Sequence, residues 1–436
     1  MKNENLILIT MDTVRPDHLS CYGYDKIETK GIDLIAKDGV LFKNCIAQSC
    51  LTPTSHASML TGQNPDKTKF RDPFCKVKSK MISEILKDVG YKTAGFVGID
   101  FLSKKHGFAK GFDVFDEPTD ETSWNTKKYK RGKLEMDTNW GNWWVERMLD
   151  WIKENHSNNF FIWGHYFEVH FLAEKRLLFE NKIERDNLSD WAYYDAKIKY
   201  MDEWLIQGMI KTLKNLDIWD NTSIIITSDH GETLGTRQPN WETFYFDYPQ
   251  HKTMYECDLK IPLIIKSRKL KRTIIDHTVR GIDIVPTILD LLDINSGDKE
   301  CDGTNLMPLM EGDSFPELTT YSEELFRNRG AGSLQSVRDS KYKFIRNITK
   351  NTEELYNIQK DSNEKDNIID SANTEEKTFV RQSKEIMEKM YSSYQIKVAF
   401  TVEDRTEYEK KKIKKLVKTL DNKTLKIEKT GIQQVN

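Results

Sequence analysis

Three features are scarce in this sequence: long apolar segments, an excess of one charge, and paired cysteines. The early apolar run at residues 6–9 is too short for a secretory signal and is soon followed by Asp12, and no later stretch is long enough to span a bilayer. A formal net charge of -2 gives no whole-protein reason to bind nucleic acid or a membrane surface. Six cysteines without a Cys-x-x-Cys motif are typical of free thiols in a reducing compartment. We therefore expect a cytoplasmic protein with neither nucleic acid nor membrane as a partner.

The composition is that of a folded chain. Hydrophobic residues make up 38% of the 436 residues and aromatic residues 11%, which is enough for a sizeable core and excludes a disordered chain. A chain of this length exceeds a typical single domain, so we expect one large domain and a smaller one.

Apolar, β-favouring runs alternate with helical patterns along most of the chain, which favours an α/β fold with a parallel sheet. The predicted strands are 6–10, 40–46, 92–97, 159–164, 222–228 and 261–265. The predicted helices are 32–39, 81–89, 145–154, 191–216 and 283–292. After about residue 312 the pattern changes to antiparallel strands at 333–338 and 342–345, followed by a charged helical segment from 373.

A hydroxyl-rich stretch, residues 49–62 (SCLTPTSHASMLTG), follows the second predicted strand. Pro53 and its small polar neighbours fit the first turn of a helix, because proline is tolerated there and Ser and Thr cap free amides. The field at a helix N-terminus favours anions, which suits an alkoxide nucleophile or a bound phosphate. Ordinary helix capping is the simpler explanation of the stretch when it is taken alone.

Acidic and imidazole side chains follow two of the predicted strands. Asp12 comes after the first strand, and Asp229 and His230 come directly after the strand at 222–228. Ligands collect at the carboxyl ends of strands in open α/β sheets, and carboxylates with one imidazole suit Ca²⁺, Mg²⁺, Mn²⁺ or Zn²⁺. A cation beside Thr52 would activate its hydroxyl at neutral pH. The groups left to bind a tetrahedral anion and to protonate a leaving oxygen are His56, His170, His251 and Lys252.

Several segments in order carry a family resemblance. They are 7–24 (ILITMDTVRPDHLSCYGY), 52–62 (TPTSHASMLTG), 165–170 (HYFEVH), 228–232 (SDHGE), 251–256 (HKTMYE) with 261–263 (IPL), 280–287 (RGIDIVPT) and 354–358 (ELYNI). Together they resemble the sulfatase family of the alkaline phosphatase superfamily, from residue 6 to about residue 368.

The resemblance implies an α/β fold with a large central, mostly parallel mixed sheet sandwiched by helices, as in alkaline phosphatase, and a small C-terminal antiparallel-sheet subdomain. The implied divisions are a catalytic domain at 1–314 with a polar, Trp-rich insertion at 119–144, a subdomain at 315–400 and a charged helical tail at 401–436. The implied metal ligands are Asp12, Thr52, Asp229 and His230. The implied catalytic residues are Thr52, His170, His251 and Lys252, and the implied substrate-binding residues are His56, His165 and Lys252.

The sequence departs from the sulfatase pattern at groups that handle sulfate. True sulfatases have a Cys or Ser within a Cys-x-Pro-x-Arg motif, and this residue is converted to formylglycine. In this sequence the corresponding position is Thr52, and His56 stands where the Arg belongs. Cys50 lies two residues too early to take its place, and Ile99 stands after Gly98 where sulfatases have Lys.

Within this superfamily, a threonine at the nucleophile position resembles the pattern of phosphodiesterases, phosphonate-ester hydrolases and phospho-group transferases. We therefore expect a metal-dependent hydrolase or group transferase that cleaves a small anionic phosphate monoester, phosphate diester or phosphonate ester through a covalent Thr52 intermediate. A sulfate-ester hydrolase that works without formylglycine and a ligand-binding member without turnover stay open as alternatives. One divalent metal is expected, while a second metal at His170 and His251 and a homo-oligomer are left open.

Overall fold

The structure is a computed structural model that describes residues 4–68, 70–71, 75–118, 142–170, 190–234, 253–295, 300–325 and 333–395, and two short strands beyond them. The strands are β1 Asn5–Met11, β2 Val40–Ile46, β3 Lys92–Val97, β4 Val114–Asp116, β5 Phe160–Tyr166, β6 Thr222–Ser228, β7 Lys260–Lys266, β8 Thr273–Arg280, β9 Thr320–Glu324, β10 Leu334–Arg338, β11 Tyr342–Asn347, β12 Thr352–Asn357, β13 Ile427–Glu428 and β14 Gly431–Ile432.

Most of the helices lie between successive strands of the first sheet. They are α1 Lys30–Lys37, α2 Thr52–Thr61, α3 Pro65–Thr68, α4 Ile82–Asp88, α5 Asn142–Asn155, α6 Asp190–Met201, α7 Gln207–Asn215, α8 Glu256–Leu259, α9 Ile284–Leu291, α10 Met307–Glu311 and α11 Thr374–Gln395. Among the described residues, no helix combines the length and the apolar character needed to cross a membrane.

Eight strands form the first sheet in the order β4-β3-β5-β1-β6-β7-β2-β8. Their pairings are parallel except where β7 meets β6 and β2, so β7 alone runs against the other strands of this sheet. This arrangement confirms the predicted mostly parallel mixed sheet.

The central strand β1 is buried along its whole length, and its alternate residues face the two sides of the sheet. Leu6 and Leu8 pack with residues of α2, α4 and α9, whereas Ile7 and Ile9 pack with residues of α1, α5 and α7. A strand covered by helices on both faces must be apolar throughout, which is why the run at 6–10 was readable from the sequence. The two apolar layers hold β1, and with it Asp12, at the centre of the molecule.

The second sheet is antiparallel, in the order β12-β11-β10-β9, as predicted for the C-terminal part. It contacts the chain between β2 and α2: Ser322 Oγ donates to the carbonyl oxygen of Ala47 at 2.6 Å, and the Glu323 amide donates to the carbonyl oxygen of Gln48 at 3.0 Å. The second sheet therefore supports the loop that carries Thr52.

Some elements differ from the predictions. The strands β4, β8, β9 and β12 were not predicted. The single helix predicted at 191–216 is interrupted by a π-helical turn, Asp202–Ile206, where the buried Asp202 carboxylate accepts the amides of Gly31 and Ile32 at the start of α1. That capping contact comes from a distant part of the chain, so the local pattern could not reveal it.

Two predicted segments fall mainly outside the described residues. Within the insertion predicted at 119–144, residues 142–144 belong to α5 and residues 119–141 lie outside the described part. Within the predicted helical tail at 401–436, the described residues form β13 and β14, which pair antiparallel.

Candidate active site

The site lies where the carboxyl ends of three neighbouring strands meet. Strand β1 pairs with β5 on one side and β6 on the other, which brings Asp12, His165 and Asp229 to one edge of the sheet. All three side chains are fully buried. The Asp12 amide continues the ladder by donating to the carbonyl oxygen of Tyr166 at 2.8 Å, so the sheet itself fixes the position of this carboxylate.

The helix α2 begins at Thr52, and the extended residue Leu51 takes the N-cap position without a side-chain capping bond. Thr52 is therefore the first helical residue, and Pro53 follows within the first turn, where its missing amide proton costs nothing. Thr52 Oγ1 lies 3.1 Å from His230 Nε2 and 3.4 Å from Asp12 Oδ2. The hydroxyl faces the strand ends instead of capping the helix, so ordinary capping does not account for this threonine.

Asp12, Asp229 and His230 form a cluster in which one potential ligand atom from each lies within 4.8 Å of the others. Two buried carboxylate oxygens of this cluster, Asp12 Oδ1 and Asp229 Oδ2, have no hydrogen-bond partner within the part of the chain that the structure describes. Buried polar atoms are almost always satisfied, and unpaired carboxylate oxygens facing one imidazole match the donor set of a divalent cation. The residues present therefore fit a divalent metal ion, whose identity they do not specify.

The His230 ring is oriented for such a role. Its Nδ1 lies 2.9 Å from the carbonyl oxygen of Gly231, which can only accept, so this nitrogen carries the proton. The other nitrogen, Nε2, then presents its lone pair to the cluster. A backbone carbonyl that fixes the tautomer of a histidine is the usual support for an imidazole metal ligand.

The electrostatics of the cluster call for positive charge. Burial, and then repulsion from Asp229, raises the pKa of Asp12 well above its ordinary value. For Asp229 burial acts in the same direction, but its neighbours His230, His56 and His165 outweigh it and lower the pKa to about 2. Two adjacent buried carboxylates do not both ionise without compensation, and a cation supplies that compensation.

His56 and His165 lie beside the cluster with their rings 4.6 Å apart. His56 Nδ1 is 2.8 Å from the carbonyl oxygen of Thr52, and its Nε2 is 3.0 Å from the hydroxyl of Thr10. Burial, and then its neighbour His165, lowers the pKa of His56 to about 3, and burial lowers that of His165 to about 4. Both ring nitrogens of His56 have partners within the protein. This geometry favours a positioning role for His56 over the predicted contact with substrate.

Three residues that hold the cluster were not predicted. Thr13 adopts a positive φ of 61°, unusual for a β-branched residue, and this turn aims its amide at Asp229 Oδ1 at 3.2 Å. Tyr194 holds the same turn, because its hydroxyl donates to the Thr13 carbonyl oxygen at 2.6 Å. Ser55 Oγ donates to the Asp229 carbonyl oxygen at 2.6 Å and so ties α2 to β6. The sequence signals were the Asp-Thr step after β1 for Thr13 and the hydroxyl-rich stretch 49–62 for Ser55.

Of the three remaining predicted residues, the structure describes only His170. His170 ends the short 3-10 helix Glu168–His170 after β5, and its ring stacks on Phe167 at 5.1 Å. In the same helix burial raises the pKa of Glu168 to about 7. His251 and Lys252 lie outside the described residues, so their predicted roles stay predictions.

Cys50 does not face the cluster. It is buried in an apolar group that includes Ile46, Met254 and Leu259, and burial raises the pKa of its thiol well above the ordinary value. All six cysteines of the chain are free thiols, as predicted.

Comparisons with known proteins agree on the family. The sulfatase family profile matches residues 4–294, and the profile of the N-sulphoglucosamine sulphohydrolase C-terminal region matches residues 242–393. The uncharacterized sulfatase YidJ of Escherichia coli is 22% identical over 438 residues, which covers 85% of this chain and 84% of that protein. The choline-sulfatase of Rhizobium meliloti is 22% identical over 448 residues, covering 84% and 82%.

Solved structures share the fold. The phosphonate monoester hydrolase of Agrobacterium radiobacter superposes with a TM-score of 0.68 at 18% identity, covering 90% of this chain and 95% of that one. A protein solved in complex with its substrate D-glucosamine-2-N,6-O-disulfate gives a TM-score of 0.68 at 18% identity, covering 90% and 98%. Because the sulfatase profile spans well over half of the sequence and the central sheet has the expected topology, this chain belongs to the sulfatase family.

Proposed function

We propose that this sulfatase-family hydrolase cleaves phosphate or phosphonate esters through a covalent bond to Thr52, with a divalent cation held by Asp12, Asp229, His230 and Thr52. The observation that carries the proposal is the position of the Thr52 hydroxyl, 3.1 Å from His230 Nε2 and 3.4 Å from Asp12 Oδ2. A hydroxyl that is not used for helix capping and faces unsatisfied carboxylates is a candidate nucleophile.

A bound divalent cation would supply the positive charge that favours the alkoxide of Thr52 and the developing charge on the substrate oxygens. The chain itself supplies the orientation. The amide of Thr13 and the backbone amide of His230, at 2.9 Å, both donate to Asp229 Oδ1, which leaves Oδ2 directed at the cluster. The start of α2 adds the favourable field of a helix N-terminus at Thr52.

In the proposed reaction Thr52 Oγ attacks phosphorus in line, and the Oγ–P bond forms while the P–O bond to the leaving alcohol breaks. The proton lost by Thr52 balances the proton gained by the leaving oxygen, for which His170 and His251 are the predicted donors. Water then cleaves the Oγ–P bond and restores the hydroxyl of Thr52. An alcohol in place of water would make the protein a transferase.

Sulfate-ester hydrolysis is the second candidate, and the sulfatase relatives favour it. Two residues argue against it. Thr52 occupies the nucleophile position, and Ile99 replaces the lysine that sulfatases have there. Ile99 is 7% exposed and packed in the apolar core. A threonine ester has no geminal hydroxyl from which sulfate could be eliminated, so its hydrolysis needs direct attack on sulfur or phosphorus.

A substrate panel tests the proposal. The purified protein is assayed with Mn²⁺ against p-nitrophenyl phosphate, bis(p-nitrophenyl) phosphate, p-nitrophenyl phenylphosphonate and p-nitrophenyl sulfate. We expect kcat/KM to be higher for a phosphorus ester than for the sulfate. A higher value for the sulfate would favour the second candidate, and no turnover of any ester would favour a binding protein.

Two variants test the nucleophile. Thr52→Ala is expected to lower kcat by roughly 10³-fold or more, whereas Thr54→Ala in the same helix turn is the matched control and keeps activity. Rapid quench and peptide mass spectrometry should find one phosphoryl group on the peptide that contains Thr52. Activity retained in Thr52→Ala, or an unmodified peptide during turnover, would contradict the covalent mechanism.

The same peptide reports on Cys50. We expect it to carry an unmodified thiol, and a mass loss matching formylglycine would instead revive the sulfatase chemistry. A cytoplasmic location and a small anionic ester as the substrate complete the proposal, and cell fractionation tests the location.

A further inference from the structure

The hydroxyl of Thr10 lies at the centre of a buried hydrogen-bond network beneath the cation site. Trp163 Nε1 donates to Thr10 Oγ1 at 3.1 Å, and the imidazole atoms His56 Nε2 and His165 Nδ1 lie 3.0 and 3.1 Å from the same oxygen. The carbonyl oxygen of Gly164 is a more distant neighbour at 3.4 Å. Thr10 is itself fully buried.

The protons of the network follow from what each atom can donate or accept. His56 Nδ1 faces the Thr52 carbonyl oxygen, which only accepts, so Nδ1 carries the proton. In a neutral, fully buried His56, Nε2 is then an acceptor and takes the single hydroxyl proton of Thr10. The Thr10 oxygen has two lone pairs left. One accepts from Trp163, and the other accepts from His165, whose proton must therefore lie on Nδ1.

This tautomer leaves a lone pair on His165 Nε2. That atom is buried, has no hydrogen-bond partner among the described residues, and lies 3.3 Å from Asp12 Oδ2. A lone pair directed at a carboxylate oxygen is repulsive unless positive charge lies close to both atoms. A separation of 3.3 Å is also the distance expected between two neighbouring ligands, each about 2.0 to 2.2 Å from one metal ion.

We propose that Thr10 is a positioning residue that fixes His165 in the Nδ1-protonated tautomer, so that His165 Nε2 becomes a further protein ligand of the cation beside Asp12. The same hydroxyl, acting through His56, holds the Thr52 carbonyl and thus the start of α2. This inference deepens the proposed function, because it rests on the cation site described above. It reassigns His165 from binding substrate to binding metal.

Metal binding provides the test, independently of turnover. The affinity for Mn²⁺ is measured by isothermal titration calorimetry on the full chain for the wild type, Thr10→Val, Thr10→Ser and His165→Gln. Thr10→Val keeps the shape of the side chain and removes the hydroxyl, whereas Thr10→Ser keeps the hydroxyl. We expect Thr10→Val and His165→Gln to weaken binding by about 10- to 100-fold and Thr10→Ser to stay within about threefold of the wild type, since it preserves the supporting hydrogen bond.

Thr222→Val is the matched control. Thr222 is also a fully buried threonine in the first sheet. It is the first residue of β6, so it lies at the end of the strand opposite to the cation site, and it donates to the carbonyl oxygen of Ile218 at 2.7 Å. We expect it to bind Mn²⁺ like the wild type. The visible absorption of bound Co²⁺ gives a second readout, because loss of an imidazole ligand changes the ligand-field bands in His165→Gln.

The outcomes separate the inference from the proposed function. Wild-type protein that binds no Mn²⁺ and no Co²⁺ would overturn the cation site and this inference together. Wild-type protein that binds Mn²⁺, while His165→Gln binds it equally well with an unchanged Co²⁺ spectrum, would overturn the inference and leave the proposed function intact. If Thr10→Val fails to fold, His165→Gln still decides whether His165 is a ligand of the cation.

Discussion

At the scale of single residues, two buried serine hydroxyls of α2 differ sharply in their hydrogen bonds. Ser55 Oγ donates to the Asp229 carbonyl oxygen at 2.6 Å, whereas the buried Ser58 Oγ, one turn later, has no partner in the described ranges. The first hydroxyl joins α2 to the strand that carries a proposed metal ligand. The second makes no comparable contact, although both residues are serines in one helix.

Ser55→Ala should lower the free energy of unfolding by about 1 to 3 kcal/mol, since it leaves a buried carbonyl without its donor. Ser58→Ala is the matched control and should change stability little, because its hydroxyl is buried without compensation. Denaturant unfolding of both variants measures the difference. Equal losses would show that the bond to Asp229 contributes nothing specific.

The unsatisfied carboxylates of the cluster make a prediction about metal and stability. Saturating Mn²⁺ should raise Tm, since a ligand at 100 times its Kd adds about 2.7 kcal/mol to the folded state. Asp229→Asn should abolish most of that increase. Without metal, Asp12→Asn should be at least as stable as the wild type, because it removes repulsion between two buried carboxylates. Thermal unfolding with and without Mn²⁺ measures these effects, and an undiminished Mn²⁺ response in Asp229→Asn would contradict the ligand assignment.

At the scale of elements, α2 is held at its C-terminal end as well as at Thr52. Gly62 ends the helix with a φ of +67°, and a Cβ at this position would lie 2.7 Å from Cys301 Sγ and 3.2 Å from Val285 Cβ. Gly90 also has a positive φ, +91°, but a Cβ there would meet nothing within 4 Å. Alanine substitutions at Gly62 and Gly90 therefore separate the cost of backbone strain from the cost of steric crowding.

Gly90→Ala should cost about 1 kcal/mol, which is the strain of a positive φ alone. Gly62→Ala should cost a further 1 to 3 kcal/mol or so, because the packed neighbours must move, and it should lower kcat/KM by shifting α2. Unfolding free energies and steady-state kinetics of both variants check this prediction. Equal destabilisation by the two substitutions would mean that the contacts of Gly62 are easily relieved.

The sequence predicted elements well where the periodicity was local. Strands β2, β3 and β6 were predicted to the residue, because each contains apolar, β-favouring residues that set it apart from its flanks. Strand β8 was not predicted, since its pattern TIIDHTVR mixes exposed and buried residues at the edge of the sheet. An edge strand is identified by its partner more than by its own composition.

At the scale of the whole molecule, a buried ionic cluster joins the second sheet to α8, the short helix before β7. Lys343 of β11 is fully buried, and its Nζ lies 3.0 Å from Glu256 Oε1 and 3.0 Å from Glu364 Oε1. Arg338 Nε lies 3.1 Å from the same Glu256 oxygen. Burial alone would raise the pKa of Glu256, but Arg338 and Lys343 outweigh it and hold that pKa far below its ordinary value of 4.5.

Lys343→Met should lower the free energy of unfolding by about 3 to 5 kcal/mol at neutral pH, because the buried carboxylate of Glu364 loses the ammonium and that of Glu256 keeps only the contact with Arg338. In the wild type the depressed pKa of Glu256 contributes stability above about pH 4.5, and this contribution is lost as the pH falls towards the folded-state pKa. The cost of Lys343→Met should therefore shrink below pH 4.5, where the carboxylates that have lost the ammonium protonate. Urea unfolding of both proteins from pH 3.5 to 7, about half a unit apart, measures it, and a cost independent of pH would contradict the assignment.

The sequence by itself determined the family, the central parallel sheet and the three residues of the Asp12, Asp229 and His230 cluster. These are properties of short segments: an apolar run ends and a polar ligand follows it. The sequence did not determine which residues from distant parts of the chain come into contact. Thr10 is an ordinary strand threonine until folding brings β5 and α2 against it, and then its one proton and two lone pairs set the protons of His56 and His165.

Only the tertiary structure decided that Thr52 starts a helix without capping it and that Cys50 faces the core. The physical reason is that hydrogen-bond partners and burial are set by residues more than a hundred positions apart, as between Thr52 and His230. Local sequence fixes which groups are present. Packing fixes which of them keep an unsatisfied atom, and those atoms are where the chemistry is expected.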